Sequence, residues 1–310
     1  MIQFWRKRII SRKLCILTAP TGAGKSSLIS ELDPERFEIL SFDSRQVYQV
    51  LEVGTAKPSL SLRNKIPHHL VDFLPPDEEI NAAKFTQKAF LALEEVYSKG
   101  KIPLITCGTG FYLKAFLNGM FEFASGSFEL RKDLESLSRE ERWFQLEEKD
   151  PEACKKINYN DDYRVCRALE IVISSGKKWS EAKPDTSQSF FSRYPGTEIQ
   201  GFFIHHERAV LYERINRRVK EMIEAGIIEE TKNVIDRFGK NCPALKSLGY
   251  NFAVENIQGK IDIGIFYELF SRSHRNYAKK QITWFKKEVT LKPVSWNSAL
   301  EEIKKIGERP

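Results

Sequence analysis

The sequence contains no C-x-x-C pair; its five cysteines, Cys15, Cys107, Cys154, Cys166 and Cys242, are scattered along 310 residues. No Cys/His spacing suits zinc, and a reducing cytoplasm fits such cysteine usage. No apolar run approaches the roughly eighteen residues that cross a bilayer, which excludes a helical membrane protein. Low-complexity segments and internal repeats are also missing, and with 41% hydrophobic and 12% aromatic residues the chain has too much to bury for wholesale disorder. Acids are in mild deficit, 42 against 49 Lys and Arg, leaving a net charge of +7. That surplus admits an anionic partner but is too small for long, nonspecific coverage of nucleic acid. The acid-free opening MIQFWRKRIISRK has no apolar h-region or cleavage site and reads as a basic lead-in.

What the chain does have is alternation. Leu14–Thr18, Phe37–Phe42 and Ile102–Thr106 read as buried strands, separated by a helix from Lys25 to Leu32 and another over 82–99 that ends at Gly100. Strand character returns at Ile199–Ile204, followed by the helical stripe Leu211, Ile215, Val219, Met222 and a last helix over 263–288. Between Gly119 and residue 195 the chain is charged and helical. The expected class is α/β: a P-loop NTPase-like parallel sheet core flanked by helices, formed by 1–118 and 196–310, with a helical insertion domain at 119–195. Three strands end in polar or glycine-rich loops, and in an open α/β sheet ligands bind at the carboxyl ends of strands.

The first of these loops is Ala19-Pro20-Thr21-Gly22-Ala23-Gly24-Lys25-Ser26, placed between a strand and a helix. Its backbone N–H groups would cradle phosphate oxygens, Lys25 would neutralise them, and the Ser26 hydroxyl would ligate Mg²⁺. Ala19 stands where the pattern opens with glycine, which is tolerable if φ is negative there. The loop leaves the reaction class open, since a nucleotide such as ATP and a simple diphosphate are held in the same way. The second loop, Asp43-Ser44-Arg45-Gln46, offers a carboxylate that could ligate Mg²⁺, act as a general base or form a turn. The histidine pairs at 68–69 and 205–206 receive no metal role, because neighbours on an extended segment point to opposite faces.

Taken in order, the strings P-T-x-x-G-K-S, D-S-x-Q-V-Y, G-T-A-K-P (54–58), P-H-H-L-x-D (67–72), the Gly100–Leu104 run with Gly108-Thr109 and Tyr112, R-A-L-E (167–170) and Q-I-T-W (281–284) resemble the tRNA dimethylallyltransferases, over about residues 14–288. Cys107 departs from the family glycine. The resemblance implies transfer of the dimethylallyl group from dimethylallyl diphosphate to N6 of the adenosine at tRNA position 37, in the cytoplasm, by a monomer that uses Mg²⁺ and binds the anticodon stem-loop. It implies Asp43 as the base and Lys25, Ser26-bound Mg²⁺, Thr109 and Arg275 as the leaving-group clamp. It places Asp43, Ser44, Arg45, Gln46, Thr109, Arg131, Tyr163, Arg164, Val165, Cys166, Arg167, Lys246, Gly249, Tyr250 and Gln281 on the tRNA. The competing readings are a small-molecule P-loop kinase, an adenylate prenyltransferase and a noncatalytic RNA-binding P-loop protein.

Overall fold

The computed structural model describes residues 12–121 and 128–308; most of the basic lead-in lies outside the described residues. The chain forms two compact units, one made of the chain up to Phe116 together with the chain from Tyr194, the other of Leu117–Arg193. These limits lie two residues before the insertion expected at 119–195.

The first unit is built on a six-stranded, all-parallel sheet. Its strands are β1 (Lys13–Thr18), β2 (Phe37–Phe42), β3 (His68–His69), β4 (Ile102–Cys107), β5 (Glu198–Ile204) and β6 (Lys292–Val294). The spatial order is β3-β2-β4-β1-β5-β6. β2 and β4 are buried at every position and β1 at five of six, the continuous apolar reading that a sheet covered on both faces demands. β3 and β6 escape a sequence reading because two or three residues carry no periodicity.

Register aligns the upper ends of the strands. Thr18 pairs with Cys107 and Phe203, and Phe42 pairs with Cys107. The next residues, Ala19, Asp43 and Gly108, therefore leave the sheet side by side. Around the sheet lie α1 (Lys25–Ile29), α2 (Ala82–Ser98), α3 (Gly110–Asn118), α4 (Arg208–Glu224), α5 (Ile227–Phe238), α6 (Tyr250–Ile257), α7 (Ile263–Phe285) and α8 (Trp296–Gly307). α2 starts at Asn81, whose side chain accepts from the Lys84 N–H, and buries Phe85, Ala89, Leu93 and Val96. Phe85 and Phe116 both meet Phe42 of β2 edge to face, at 5.1 and 5.2 Å between ring centres. Each such side chain contributes about 1.5–3 kcal/mol by burial.

The second unit is mainly helical, as the text of 119–195 predicts, with a two-residue antiparallel pair joining Met120–Phe121 to Pro184–Asp185. The Arg139–Lys149 helix opens on a capping box, Ser138 with Glu141. It packs with Asp162–Ser175 around Leu146, Ala153, Ile157, Val165 and Leu169. Among the described residues no helix is long and apolar enough to cross a membrane.

Candidate active site

The three strand-end loops converge as expected, on a cavity of about 660 Å³ within the first unit. The loop after β1 supplies residues 21–24 together with Lys25 and Ser26; the loop after β2 supplies Asp43, Ser44, Arg45 and Gln46; the loop after β4 supplies Gly108. Gly22 and Gly24 have φ of 79° and 91°, left-handed values that explain glycine at both positions. Ala19 has negative φ, is fully buried, and uses its carbonyl to accept from Lys25 Nζ at 2.8 Å, so the loop accommodates the departure from glycine. Cys107 is also fully buried, and burial pushes its thiol well above the usual range, the mark of a packing residue and not a nucleophile.

Asp43 is fixed by its own turn. Its Oδ1 accepts from the main-chain N–H groups of Arg45 (2.8 Å) and Gln46 (3.3 Å). Oδ2 lies where a methyl group on Gly108 would come within 2.7 Å, so only glycine leaves room beside it. Thr109, one residue further on, accepts from the Ser44 N–H at 3.1 Å and donates to Ser44 Oγ at 3.3 Å; it ties two loops together and does not line the cavity.

The cationic wall differs from the one expected. Arg275 does not reach the cavity: its guanidinium donates to Asn216 at 2.6 Å and sits 6.0 Å from the centre of the Tyr212 ring. One residue along a helix rotates a side chain by about 100°, so α7 turns His274, Tyr277 and Gln281 to the cavity and Arg275 away. The cations come instead from α4, as Arg214, Arg217 and Arg218. Arg218 donates to Thr21 Oγ1 at 3.3 Å. Burial lowers its pKa from the usual arginine value, with Asp43 opposing. Lys25 is brought down to about 8 by burial and by Arg218, again opposed by Asp43. With Arg45 and Lys246, six cationic side chains line the cavity against two carboxylates, Asp43 and Glu221. Such a site is made for a polyanion next to one base.

Several residues assigned to tRNA also make contacts within the protein. Gln281 is buried and bridges the loops, accepting from the Thr21 N–H at 2.8 Å and donating to the Gly108 carbonyl at 2.9 Å. Tyr277 donates to the same carbonyl at 3.0 Å, and Trp284 closes on Gly110, where no side chain would fit. Gln46 is engaged by Ser41 Oγ and by the carbonyls of Thr55 and Ala56. Tyr250 is fully buried, its hydroxyl on Glu230, and Gly249 is glycine because Phe270 leaves no space for a methyl group. Lys246 does line the cavity and pairs with Glu79 at 2.8 Å. In the second unit Val165 is buried and Cys166 half-buried. Tyr163 is 80% exposed, Arg164 pairs with Asp161 at 2.6 Å, and Arg131 and Arg167 share the buried carboxylate of Glu170 at 2.9 and 2.7 Å.

Fold and cavity together define a P-loop-type α/β protein whose cavity sets six cationic side chains beside the Asp43 carboxylate. The sequence model of the family described as IPP transferase matches residues 46–288. A protein of Leptospira interrogans named tRNA dimethylallyltransferase is 50% identical over 294 residues, 94% of this chain and 98% of that one. The chain belongs to the IPP transferase family. The tRNA isopentenylpyrophosphate transferase of Bacillus halodurans superposes with a TM-score of 0.66 at 29% identity, covering 95% of each chain. A eukaryotic dimethylallyltransferase solved acting on tRNA gives 0.77, over 97% of this chain and 81% of that one; at 24% identity this is a likeness of fold.

Proposed function

We propose that the protein is a tRNA dimethylallyltransferase, moving the dimethylallyl group from dimethylallyl diphosphate to N6 of the adenosine at position 37, beside the anticodon. The observation that carries this reading is the meeting of phosphate loop, Arg218 and Asp43 in one cavity of a chain from this family. The exocyclic amine of adenine is a weak nucleophile, its lone pair delocalised into the ring. As the N6–C1 bond forms and the C1–O bond to diphosphate breaks, Asp43 takes the N6 proton, help worth about 10²–10⁴-fold in rate. Lys25 and Arg218 lie fixed in advance where charge grows on the departing diphosphate. The adenine has to leave its stack to reach Asp43. Exposed cations on α7, Arg272, Lys279 and Lys280, are suited to phosphates of the surrounding loop.

Mg²⁺ fits the donor set. Ser26 offers a hard oxygen ligand at the phosphate end, and no cluster of three His, Cys, Asp or Glu is found among the described residues. Mg²⁺ characteristically takes one or two protein oxygens and completes its shell with phosphate and water. When bound it would neutralise diphosphate charge beside Lys25.

The test is incubation with unmodified tRNA, dimethylallyl diphosphate and Mg²⁺, followed by nucleoside mass analysis. Prenylated adenosine is expected, and unchanged adenosine from folded protein would sink the reading. Turnover of free AMP in place of tRNA would instead favour an adenylate prenyltransferase.

A further inference from the structure

Among the described residues four non-glycines hold left-handed backbone: Val50 (φ 61°), Ala56 (49°), Leu70 (66°) and Asp72 (60°). All fall between residues 50 and 72. Such conformations persist only where the surroundings over-determine them, and they gather at functional sites. Here the surroundings do so thoroughly. The Glu230 carboxylate of α5 accepts three successive main-chain N–H groups, from Glu52 at 2.6 Å, Val53 at 2.9 Å and Gly54 at 3.2 Å, and the Tyr250 hydroxyl as well. Gln46 Nε2 donates to the carbonyls of Thr55 (3.4 Å) and Ala56 (3.1 Å). Thr55 Oγ1 donates to the Leu51 carbonyl at 2.7 Å, and the N–H groups of Ala56 and Lys57 close on the carbonyls of Val53 and Glu52 at 3.0 and 3.2 Å. Behind the segment, Lys57 and Arg63 each join the carboxylates of Glu52 and Asp72.

The consequence is chemical. Gly54, Thr55 and Ala56 line the cavity, yet the polar groups of their segment are largely committed elsewhere. A loop wall of this kind offers CH and methyl groups where loops ordinarily offer hydrogen bonds, and Met222 and Leu248 add apolar surface to the same cavity. A hydrocarbon is the ligand such a wall suits, because it asks for no hydrogen bonds and leaves none unmade.

We infer that Gly54-Thr55-Ala56 is the surface against which the short branched chain of the prenyl donor packs, and that Glu230 is the positioning residue that holds this wall in place. The inference rests on the prenyl-transfer reading above. Glu230 touches no substrate; it acts by fixing the three N–H groups. Glu230→Gln keeps the volume but turns a carboxamide NH₂ towards backbone donors, so the wall shifts.

The experiment measures KM for dimethylallyl diphosphate, KM for tRNA, inhibition by inorganic pyrophosphate and melting temperature. For Glu230→Gln the donor KM is expected to rise about tenfold, from the loss of a charge-assisted hydrogen bond, with tRNA KM and pyrophosphate inhibition within about twofold. Tyr250→Phe removes one partner of the same carboxylate and should raise donor KM about threefold in the same pattern; if Glu230→Gln does not fold, this variant decides. An unchanged donor KM in an active enzyme overturns the assignment. So does a parallel loss of pyrophosphate inhibition, or a rise in tRNA KM alone. Inactivity of the wild-type protein is a different result, which overturns prenyl transfer itself.

Discussion

Two basic helices pack side by side in the first unit, and they divide the work against the impression the sequence leaves. α7 has Arg272, Arg275, Lys279 and Lys280 with no acid between Glu268 and Glu288, so it draws the eye. In α4 the cations Arg214, Arg217, Arg218 and Lys220 alternate with Glu213, Glu221 and Glu224 and read as an ordinary solvated face. Yet α4 furnishes the cavity with arginines, whereas α7 furnishes it with His274, Tyr277 and Gln281, none of them charged at neutral pH. Burial and Arg218 hold the His274 imidazolium down to about 4, so it stays neutral there. Charge density along a sequence does not report which face of a helix turns inward. A few half-buried charges next to a ligand outweigh many in water, because the interaction grows as the effective dielectric falls.

The contrast presumes that the chemistry occurs at Asp43, whose charge is felt by Lys25, Arg218 and Tyr277. The largest effect is therefore expected from Asp43→Asn: a fall of about 10²–10⁴ in kcat with tRNA affinity largely kept, read from single-turnover transfer and a separate binding titration. Unchanged turnover would remove the base assignment and with it the reason for comparing the helices. Arg218→Ala comes next. Loss of one preorganised donor to developing charge lowers kcat by about 10²–10³, and pyrophosphate should bind more weakly as well. If Arg218→Ala left both intact, α4 would be merely a solvated helix after all.

Much of this site is legible in the sequence. The phosphate loop, Asp43 and Gly108 announce themselves because each motif sits at the end of a readable strand and needs only local context. Arg218 does not. Its only signal is the spacing of Arg214, Arg218 and Glu221, which share a helix face beside the apolar stripe at 211, 215, 219 and 222, and that pattern recurs on any amphipathic helix. Tyr250 and Gln281 sit in matched segments, and the resemblance puts both on the tRNA. That both are buried is not legible in the sequence, because burial is set by tertiary packing. The insertion was legible as helical, but a partnership such as that of Glu170 with Arg131 joins positions dozens of residues apart.

The pH dependence of anion binding sharpens the contrast further. Burial and Arg218 bring Lys25 down to about 8. A bound diphosphate favours the charged lysine and raises that value, so affinity gained from Lys25 is complete below pH 8 and falls by up to about tenfold per pH unit above it. Titrating pyrophosphate by calorimetry across this range checks the sign. In Arg218→Ala the decline should begin at higher pH, since a repelling charge is gone. In Arg275→Ala it should begin where it does in the wild type. The anion's own ionisation is common to all three proteins and cancels in the comparison.

The smallest effect is expected where the sequence alone pointed to a large one. Arg275 is committed to Asn216 at 2.6 Å and to the Tyr212 face, contacts that fasten α7 to α4. Arg275→Ala should therefore cost about 1 kcal/mol of stability, from one hydrogen bond and its stacking. Its kcat should stay within about twofold and pyrophosphate affinity should be unchanged. Thermal melting and steady-state kinetics on the same preparation separate the two outcomes. A hundredfold fall in kcat without a fall in stability would mean that the guanidinium leaves Asn216 and swings to the diphosphate once substrate binds. In that case the clamp would span both helices, and the division between a charged α4 face and an uncharged α7 face at the cavity would not hold during turnover.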